Sequence, residues 1–530
     1  MKKKKKVVWI IVSVILALCI LAAIVIGAVF LGRYLSSRKH SQPTTNFQCL
    51  KKFNTTASSH RFQYSKKNNV TSPPRGWNSY DSFSWIISEQ EFIQNAEILH
   101  QHLFHHGYQY GVVDFLWFRN EKGDRNSRGF DSIDKWGRLI PDPQRWPSSI
   151  DGNGFSKVAS ELHCLGLKFG IHLMAGISTQ AYDSNTPILD TTSGEGYGEF
   201  GKKWHAKDIG IPERACKWMS NGFMAINTTS GAGKAFLRSI YHLYASWGVD
   251  FVKLDCVFGD NLDMDEINVV SQIIEELNQT IILSVSPGVS ATPKMAKELL
   301  QSSAVTTYRI AGDDWDQWPE IVSHFDTIRD FAKAKLIGAV GLHGIKSWPD
   351  LDMLPFGWLT DPGAHKGPHR LTRLTQDEQR TQMTLWCMAK SPIMYGGDLR
   401  RLDNWTYNLI TNPTLLRINS FSKNNQEFDL VTRLNNNDAA QNFSNRVRSW
   451  IATDGREGEI YVAFFNLNDE KERISAKIEE LANRVLPLRK LMRNCTATEI
   501  WSGRRRMIRV DEFLSAEILP HGCTLFTLSC

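Results

Sequence analysis

Short apolar runs alternate with helical stretches from about residue 71 to about residue 415, and this alternation limits the folds open to the chain. Examples of the runs are YGVVDF (110–115), LKFGIHL (167–173) and VDFVKLD (249–255). They are apolar on both faces, as expected of strands that helices cover on both sides. The pattern therefore predicts βαβ units on a parallel sheet. About eight such units indicate a (β/α)8 TIM barrel over 71–420.

The pattern changes from about residue 425. Runs such as GEIYVAFFNL (458–467) and CTLFTLSC (523–530) show β-type alternation bounded by turn residues. Such short strands without intervening helices are typical of antiparallel sheets. We therefore predict a C-terminal antiparallel β-sandwich over 425–530.

The N-terminal segment predicts an N-terminal transmembrane helix. Residues 7–32 carry no charge, and 26 residues at about 1.5 Å rise cross a ~30 Å hydrocarbon core with some tilt. Five lysines precede the segment and three basic residues follow it, which orients the N-terminus toward the cytosol. The prediction is a cytosolic tail (1–6), a type II signal anchor (7–32) and a luminal stalk (33–70). The alternative is an unusually long signal peptide that is cleaved, which leaves a secreted protein.

The positive charge of the chain is confined to this terminus. The formal net charge is +7, but residues 1–40 contain eight Lys and Arg and no acidic residue. The remainder is close to neutral, which argues against nucleic acid as a partner. Seven N-x-[ST] sequons and eight cysteines outside the apolar span are typical of a glycoprotein with disulfide bonds in the secretory pathway.

Charged side chains stand where predicted barrel strands end. VDFVKLD ends in Asp255 with Lys253 two residues earlier, and YGVVDFLW places Asp114 near its end. In TTYRIAGDDWDQW, Asp313 lies just past the strand, four residues after Arg309. Polar residues at the carboxyl ends of barrel strands indicate a site, although aspartates there are also common turn formers and helix caps.

Two carboxylates at a barrel mouth suit glycoside hydrolysis. That reaction uses one carboxylate as nucleophile or base and the other as acid. Lys253 beside Asp255 would keep that carboxylate ionised. Trp77 in PPRGWNSYDSF follows the first predicted strand and is expected to form an aromatic floor for the sugar.

Seven segments in order carry a family resemblance that extends over roughly 71–420. They are PPRGWNSYDSF, YGVVDFLW, GLKFGIHL, WGVDFVKLDC, YRIAGDDWDQW, SWPDLDMLPFG and QRTQMTLWCMAKSPIMYGGDLR. With these motifs the chain resembles the α-galactosidase (melibiase) group, glycoside hydrolase family 27. It is similar to a plant α-galactosidase-like subgroup, some members of which act on β-L-arabinopyranosides.

The resemblance implies roles for the charged residues. Asp255 would be the nucleophile and Lys253 would bind a sugar hydroxyl. Asp313 would be the acid/base and Arg309 a sugar ligand; the neighbouring Asp314 fits the spacing from Arg309 less well. The family retains anomeric configuration, so the two catalytic carboxyl groups are expected about 5–5.5 Å apart.

The sugar subsite departs from the family pattern. Trp77 matches the GWN motif of the family. The family has two consecutive acids that hold O4 and O6 of galactose. Here the first of them is Asp114, but Phe115 replaces the second. A phenylalanine suits β-L-arabinopyranose, which is α-D-galactopyranose without the hydroxymethyl group. His172 replaces the usual Tyr of the third strand. Ser286 stands where α-galactosidases carry a 2-hydroxyl acceptor; α-N-acetylgalactosaminidases also have Ser there, so it does not decide the sugar.

Two further departures concern the surroundings. The usual Cys two residues after the nucleophile is Val257 here, so the corresponding family disulfide is expected to be absent. Residues 177–230 read as an insertion that forms a lid or cleft wall.

The sequence therefore predicts a retaining exo-glycosidase that hydrolyses terminal α-D-galactosyl residues from a carbohydrate substrate. No metal or organic cofactor is expected. The alternatives are a β-L-arabinopyranosidase on the same scaffold and a carbohydrate-binding barrel without catalysis.

Overall fold

The structure is a computed structural model that describes residues 70–257, 264–277, 279–301, 305–361, 369–430, 447–454, 459–485 and 494–530. The predicted tail, the anchor (7–32) and nearly all of the stalk lie outside the described residues. Across the described ranges, no helix is both long and apolar enough to cross a membrane.

Eight parallel strands form the sheet that the βα alternation predicted. They are neighbours in chain order, and the first strand also pairs with the eighth. A parallel bridge from Leu354, just past the seventh strand, to Tyr395 joins the seventh and eighth strands. This TIM-barrel-like arrangement brings the carboxyl ends of all eight strands to one face. The barrel strands are Arg75–Asn78, Tyr110–Val113, Lys168–Met174, Phe251–Asp255, Ile282–Val285, Val305–Arg309, Lys346–Asp350 and Ile393–Tyr395.

At least one helix separates each pair of consecutive barrel strands. The apolar faces of these helices pack on the strands in one continuous core. Local capping fixes several of their ends: Ser88 and Glu91 form a reciprocal capping box, as do Thr375 and Glu378. The helices are Tyr80–Phe83, Glu89–Ile98, Ser156–Cys164, Thr179–Ser184, Ala206–Ile209, Gly231–Trp247, Met264–Glu276, Pro293–Leu299, Trp318–Lys333, Gln376–Met388, Asn404–Ile410 and Pro413–Phe421. A π-helical turn covers Leu99–Leu103, and 3-10 turns cover Phe104–His106, Pro147–Ser149, Gly288–Ser290 and Leu399–Arg401.

The predicted insertion 177–230 follows the third barrel strand and folds as small antiparallel sheets. A disulfide bond between Cys216 and Cys256 connects it to the end of the fourth barrel strand. Position 257, where the family usually has the disulfide cysteine, is a valine. The neighbouring Cys256 forms the bond to Cys216 instead. The insertion strands are Ile177–Ser178, Phe223–Ile226 and Gly210–Ala215 in one sheet, and Gly198–Glu199 with Lys202–Lys203 in a hairpin. Two further short antiparallel strand pairs occur in the barrel part of the chain. In one, Ala339–Val340 pairs with the seventh barrel strand; in the other, Trp358–Leu359 pairs with Arg370–Leu371.

The C-terminal part is an antiparallel sheet domain, as the alternation predicted. A six-stranded sheet and a two-stranded sheet enclose a second apolar core with the helix Ile478–Val485. A disulfide bond joins Cys495 to Cys530. The six-stranded sheet contains, in spatial order, Lys423–Glu427, Val447–Thr453, Glu459–Asn466, Cys523–Ser529, Asn494–Glu499 and Arg505–Arg509, and the smaller sheet contains Glu472–Lys477 and Phe513–Ile518.

Candidate functional site

A cavity of about 300 Å³ opens where the carboxyl ends of the barrel strands meet. Side chains from seven strand ends or the segments that follow them contribute to it, and the insertion supplies one more. Eight residues that the sequence singled out line this cavity: Asp114, Phe115, His172, Lys253, Asp255, Ser286, Arg309 and Asp313. The sequence prediction therefore gathered residues up to 199 positions apart into one site.

Asp114 is bound by three donors at the inner end of the cavity. Lys253 Nζ lies 3.1 Å from Asp114 Oδ2, and Asn78 Nδ2 donates to the same oxygen at 2.7 Å. The Phe115 amide donates to the other carboxylate oxygen at 2.8 Å. Burial alone would raise the pKa of Asp114, but Lys253, His172 and these hydrogen bonds outweigh it and hold the pKa below its ordinary value.

Lys253 stays protonated for the complementary reason. Burial would lower the pKa of its ammonium, but the nearby carboxylates, Asp114 first among them, raise the pKa above its ordinary value. Asp114 and Lys253 are therefore a buried ion pair that presents a fixed charge pattern to a ligand.

Asp255 ends the fourth barrel strand and is hydrogen-bonded on both oxygens. His172 Nε2 donates to Oδ2 at 3.1 Å, and the Cys256 amide donates to Oδ1 at 2.5 Å. Burial opposes ionisation, but His172, Lys253 and the Cys256 amide together lower the pKa of Asp255. The direct neighbour that keeps this carboxylate ionised is thus His172, and Lys253 acts from farther away.

Asp313 faces the open side of the cavity. Arg309 Nη2 donates to Asp313 Oδ1 at 2.8 Å and also lies 3.0 Å from Asp352 Oδ2. The Asp313 side chain is 67% exposed, whereas that of Arg309 is only 7% exposed. The guanidinium is therefore fixed in the wall and holds a carboxylate that a ligand can reach.

The neighbouring Asp314 points away from the cavity. Its amide donates to Asp352 Oδ2 at 2.9 Å, and its carboxyl accepts from the Gln382 side chain. Burial and the nearby Asp352 raise the pKa of Asp314 well above its usual range, which favours the neutral form. Of the two adjacent aspartates, Asp313 is the one that lines the cavity.

Trp77 is not part of the cavity, so its placement as an aromatic floor needs correction. Its indole is fully buried, and Nε1 donates to the Gly397 carbonyl at 2.8 Å. Successive strand residues point to opposite faces, and the adjacent Asn78 already points into the barrel toward Asp114. Trp77 therefore points outward, where it packs on Phe92 of the helix Glu89–Ile98 with ring centroids 5.6 Å apart.

Other aromatic side chains line the cavity instead. Phe115 packs edge-on against Tyr80 and His172, with centroid distances of 6.3 and 5.4 Å, and against Trp218 at 5.4 Å. The Arg125 guanidinium lies 5.5 Å from the Trp218 ring centroid. The sequence reasoning missed Tyr80, although it lies three residues after Trp77 in a motif already quoted. No strand or helix pattern in the sequence marks Arg125 or Trp218. Arg125 lies in a loop, and Trp218 lies in the insertion.

Ser286 lines the cavity just past the fifth barrel strand. Its hydroxyl is buried, and within the described part of the chain it has no hydrogen-bond partner. A buried hydroxyl without a partner is costly, so a ligand hydroxyl that reaches it would gain a hydrogen bond.

Comparison with known proteins points to one family. The model of the family described as Alpha galactosidase A (Melibiase_2) matches residues 236–421. Among solved structures, a β-L-arabinopyranosidase of glycoside hydrolase family 27 from Geobacillus stearothermophilus is 32% identical with a TM-score of 0.74. The match covers 87% of this chain and 97% of that one, and a variant of the same enzyme has been solved with arabinose.

Curated relatives are more distant. The α-galactosidase mel1 of Schizosaccharomyces pombe is 21% identical over 85% of this chain and 87% of its own length. An α-galactosidase of Oryza sativa subsp. japonica is 22% identical over 86% of this chain and 84% of its own length.

Proposed function

The chain belongs to glycoside hydrolase family 27 and is a glycoside hydrolase, and from this premise we propose that it is a retaining exo-glycosidase that removes terminal α-D-galactosyl residues. The observation that carries the proposal is that Asp255 and Asp313 line one cavity at the mouth of the barrel. Each has its own positioning partner, His172 for the first and Arg309 for the second.

In the proposed reaction, Asp255 attacks the anomeric carbon while the bond from that carbon to the leaving oxygen breaks. Asp313 gives its proton to the leaving oxygen, which departs as an alcohol. Asp313 then takes a proton from water, and the water oxygen displaces Asp255 from the sugar. The lowered pKa of Asp255 suits a nucleophile, because the carboxylate must be ionised before it attacks.

The sugar would be held by the charged pair and the serine. Asp114 and Lys253 offer an acceptor and a donor to adjacent ring hydroxyls, and the unpartnered Ser286 hydroxyl offers a third contact. Arg309 would act mainly as a positioning group for Asp313, since its guanidinium already binds two carboxylates.

A second candidate sugar is β-L-arabinopyranose, and a specific observation favours it. Phe115 occupies the place of the second family acid, and Tyr80 and Trp218 pack on its ring. Unlike the acid it replaces, the Phe115 side chain offers no acceptor for the hydroxymethyl group of galactose. The 32% identical family member from Geobacillus acts on this pentose.

The test is to assay aryl α-D-galactoside and aryl β-L-arabinopyranoside side by side with active-site variants. Asp255→Asn is expected to lose at least about a thousandfold in kcat on whichever glycoside is hydrolysed, because it removes the nucleophile. The matched control is Asp314→Asn, which changes a buried neighbouring aspartate and should keep most of the activity. Near-wild-type turnover by Asp255→Asn contradicts the assignment. Glycan binding without hydrolysis of either substrate by the wild type would favour the non-catalytic barrel.

We also propose that residues 7–32 anchor the protein as a type II membrane protein with the barrel in the secretory lumen. The lysines before the apolar segment support this orientation. Two sequon asparagines, Asn404 and Asn494, are exposed and open to glycosylation. Treatment with a glycan-removing enzyme should lower the apparent mass of the protein, and the protein should stay in the membrane fraction after carbonate extraction. Glycosylated protein that is released from membranes would indicate that the N-terminal segment is cleaved.

A further inference from the structure

We propose that Trp218 is a specificity-determining residue of the sugar cavity and that the Cys216–Cys256 disulfide holds it in place. The inference rests on the proposed function, because it names a residue that sets which sugar the same site accepts. Neither the family motifs nor the strand pattern assigns a role to Trp218.

Trp218 reaches the cavity from outside the barrel strands. It lies in the insertion between the third and fourth strands, yet it lines the same cavity as Asp255 and Asp313. Its ring centroid is 5.4 Å from that of Phe115, within the range of favourable aromatic pairs. The exposed Arg125 guanidinium lies close to the same indole. Trp218 and Phe115 therefore form an aromatic wall of the cavity that also holds Asp255 and Asp313.

A tight turn places Trp218 within the insertion. The Met219 amide donates to the Cys216 carbonyl at 3.1 Å, and the Cys216 amide donates to the Phe223 carbonyl at 2.9 Å. Cys216 is buried at the start of this turn, two residues before Trp218. The turn that carries Trp218 therefore begins at the residue whose side chain forms the disulfide.

The partner of that sulfur belongs to the residue next to Asp255. The Cys256 backbone amide donates to Asp255 Oδ1, and the Cys256 side chain carries the disulfide. A covalent cross-link between residues 40 positions apart reduces the conformations that the chain between them can reach. The cross-link thus fixes the apolar wall relative to the carboxylate that we propose as the nucleophile.

The expected effect concerns the choice between the two sugars. α-D-Galactopyranose differs from β-L-arabinopyranose by one hydroxymethyl group, and we expect the wall of Phe115 and Trp218 to crowd that group. Removing the indole opens space behind Phe115, so galactose should gain relative to arabinopyranose. Differences of one small group are worth about tenfold or more in kcat/KM, and we expect a ratio change of about that size.

The experiment compares the ratio of kcat/KM for aryl α-D-galactoside over aryl β-L-arabinopyranoside. Trp218→Ala should raise the ratio about tenfold, whereas Trp218→Phe should stay near wild type because it keeps an aromatic wall. Cys216→Ser should raise the ratio in the same direction. The matched control is Cys530→Ser, which breaks the distant Cys495–Cys530 bond and should lower the melting temperature without changing the ratio.

Two outcomes overturn the inference. An unchanged ratio in Trp218→Ala shows that the indole does not select the sugar, and an unchanged ratio in Cys216→Ser shows that the disulfide does not hold it. Calorimetric titration with free D-galactose and free L-arabinose separates this inference from the proposed function. If neither aryl glycoside is hydrolysed, the proposed function fails. In that case, a ratio of the two dissociation constants that shifts between wild type and Trp218→Ala still supports the role of Trp218. An unshifted ratio refutes it.

Discussion

Asp114 and Asp255 have different direct hydrogen-bond partners that keep them ionised. Asp114 has the Lys253 ammonium and the Asn78 amide, whereas Asp255 has the His172 imidazole and a backbone amide. Lys253 and His172 each act on the other carboxylate as well, but without a hydrogen bond to it, so a change at His172 leaves the direct Asp114–Lys253 contact in place.

His172→Phe should move the acid limb of the kcat/KM profile to higher pH. His172 supplies the largest stabilisation of the Asp255 carboxylate, so its loss raises the pKa of Asp255. A nucleophile with a higher pKa becomes protonated at a higher pH, and activity then falls earlier as the pH is lowered. His172→Gln keeps a donor and is the control with a smaller shift. An acid limb that is the same in His172→Phe and wild type contradicts this assignment.

Phe115→Asp should shift preference toward galactosides. The carboxylate restores an acceptor for the hydroxymethyl oxygen, so the ratio of galactoside to arabinopyranoside kcat/KM should rise by about 10-fold to 100-fold. Phe115→Leu removes the ring without adding an acceptor and should not produce a rise of that size. Parallel assays on the two aryl glycosides measure the ratio. An unchanged ratio in Phe115→Asp shows that this position does not contact the distinguishing group.

At the residue scale, sequence reasoning succeeded where strand position alone fixes the side chain. Asp255, and Asp313 beyond its strand, were predictable because parallel barrel strands bring their carboxyl ends together. Trp77 was placed wrongly because side chains alternate between the two faces of a strand. A motif does not show which of two adjacent residues points into the barrel. Trp218 was beyond prediction because it lies in an irregular insertion that no strand pattern marks.

At the element scale, the start of the insertion depends on a close backbone approach. Gly176 follows the third barrel strand with a φ of 80°, and its amide donates to Glu266 Oε1 at 2.8 Å. A Cβ at this position would lie 2.0 Å from the Met224 carbonyl oxygen of the neighbouring insertion strand. Only glycine allows the strand to turn into the insertion here.

Gly176→Ala should therefore destabilise the protein strongly. A positive φ costs an alanine about 1–3 kcal/mol, and the backbone clash adds to that cost. Gly152→Ala is the matched control, because Gly152 has a φ of 78° but no atom within 4 Å of its Cβ position. Thermal unfolding should show a larger loss for Gly176→Ala than for Gly152→Ala. Equal losses would mean that the backbone conformation, and not the close approach, limits this position.

The elements themselves differed in how far the sequence indicated them. The TTYR run that precedes Asp313 lies in the observed strand Val305–Arg309, where β-branched and aromatic residues favour extended backbone. The two-residue strands of the insertion carry no periodicity that a pattern can detect. Ile177–Ser178 is a strand only because Phe223 and Met224 lie beside it.

At the scale of the whole molecule, one face of the six-stranded sheet joins the apolar core of the barrel. The described residues from 70 onward fall within one compact unit. Phe465 of the six-stranded sheet packs against Phe325 of a barrel helix with ring centroids 5.0 Å apart. Beside them, buried Arg448 forms ion pairs with Asp326 and Glu427. The sheet domain therefore supports the barrel directly.

Phe465→Ala should lower the stability of the barrel as well as the sheet. Truncating a fully buried phenylalanine costs about 3–5 kcal/mol. Calorimetry should show a single transition at a lower temperature, with activity lost in the same interval. Phe513→Ala removes a half-exposed ring from the smaller sheet and should change stability little. Two separate transitions, of which only one moves, would mean that the parts unfold independently.

The single bridge that joins the seventh and eighth barrel strands has a consequence for amide exchange. The Leu354 amide donates to the Met394 carbonyl at 2.8 Å, and the Gly396 amide donates to the Leu354 carbonyl at 3.0 Å. Other neighbouring barrel strands share longer ladders, so local opening should begin at this seam and deuterium should enter there first. Met353 lines the sugar cavity beside the seam. Local opening of the seam should therefore change the cavity wall first at Met353.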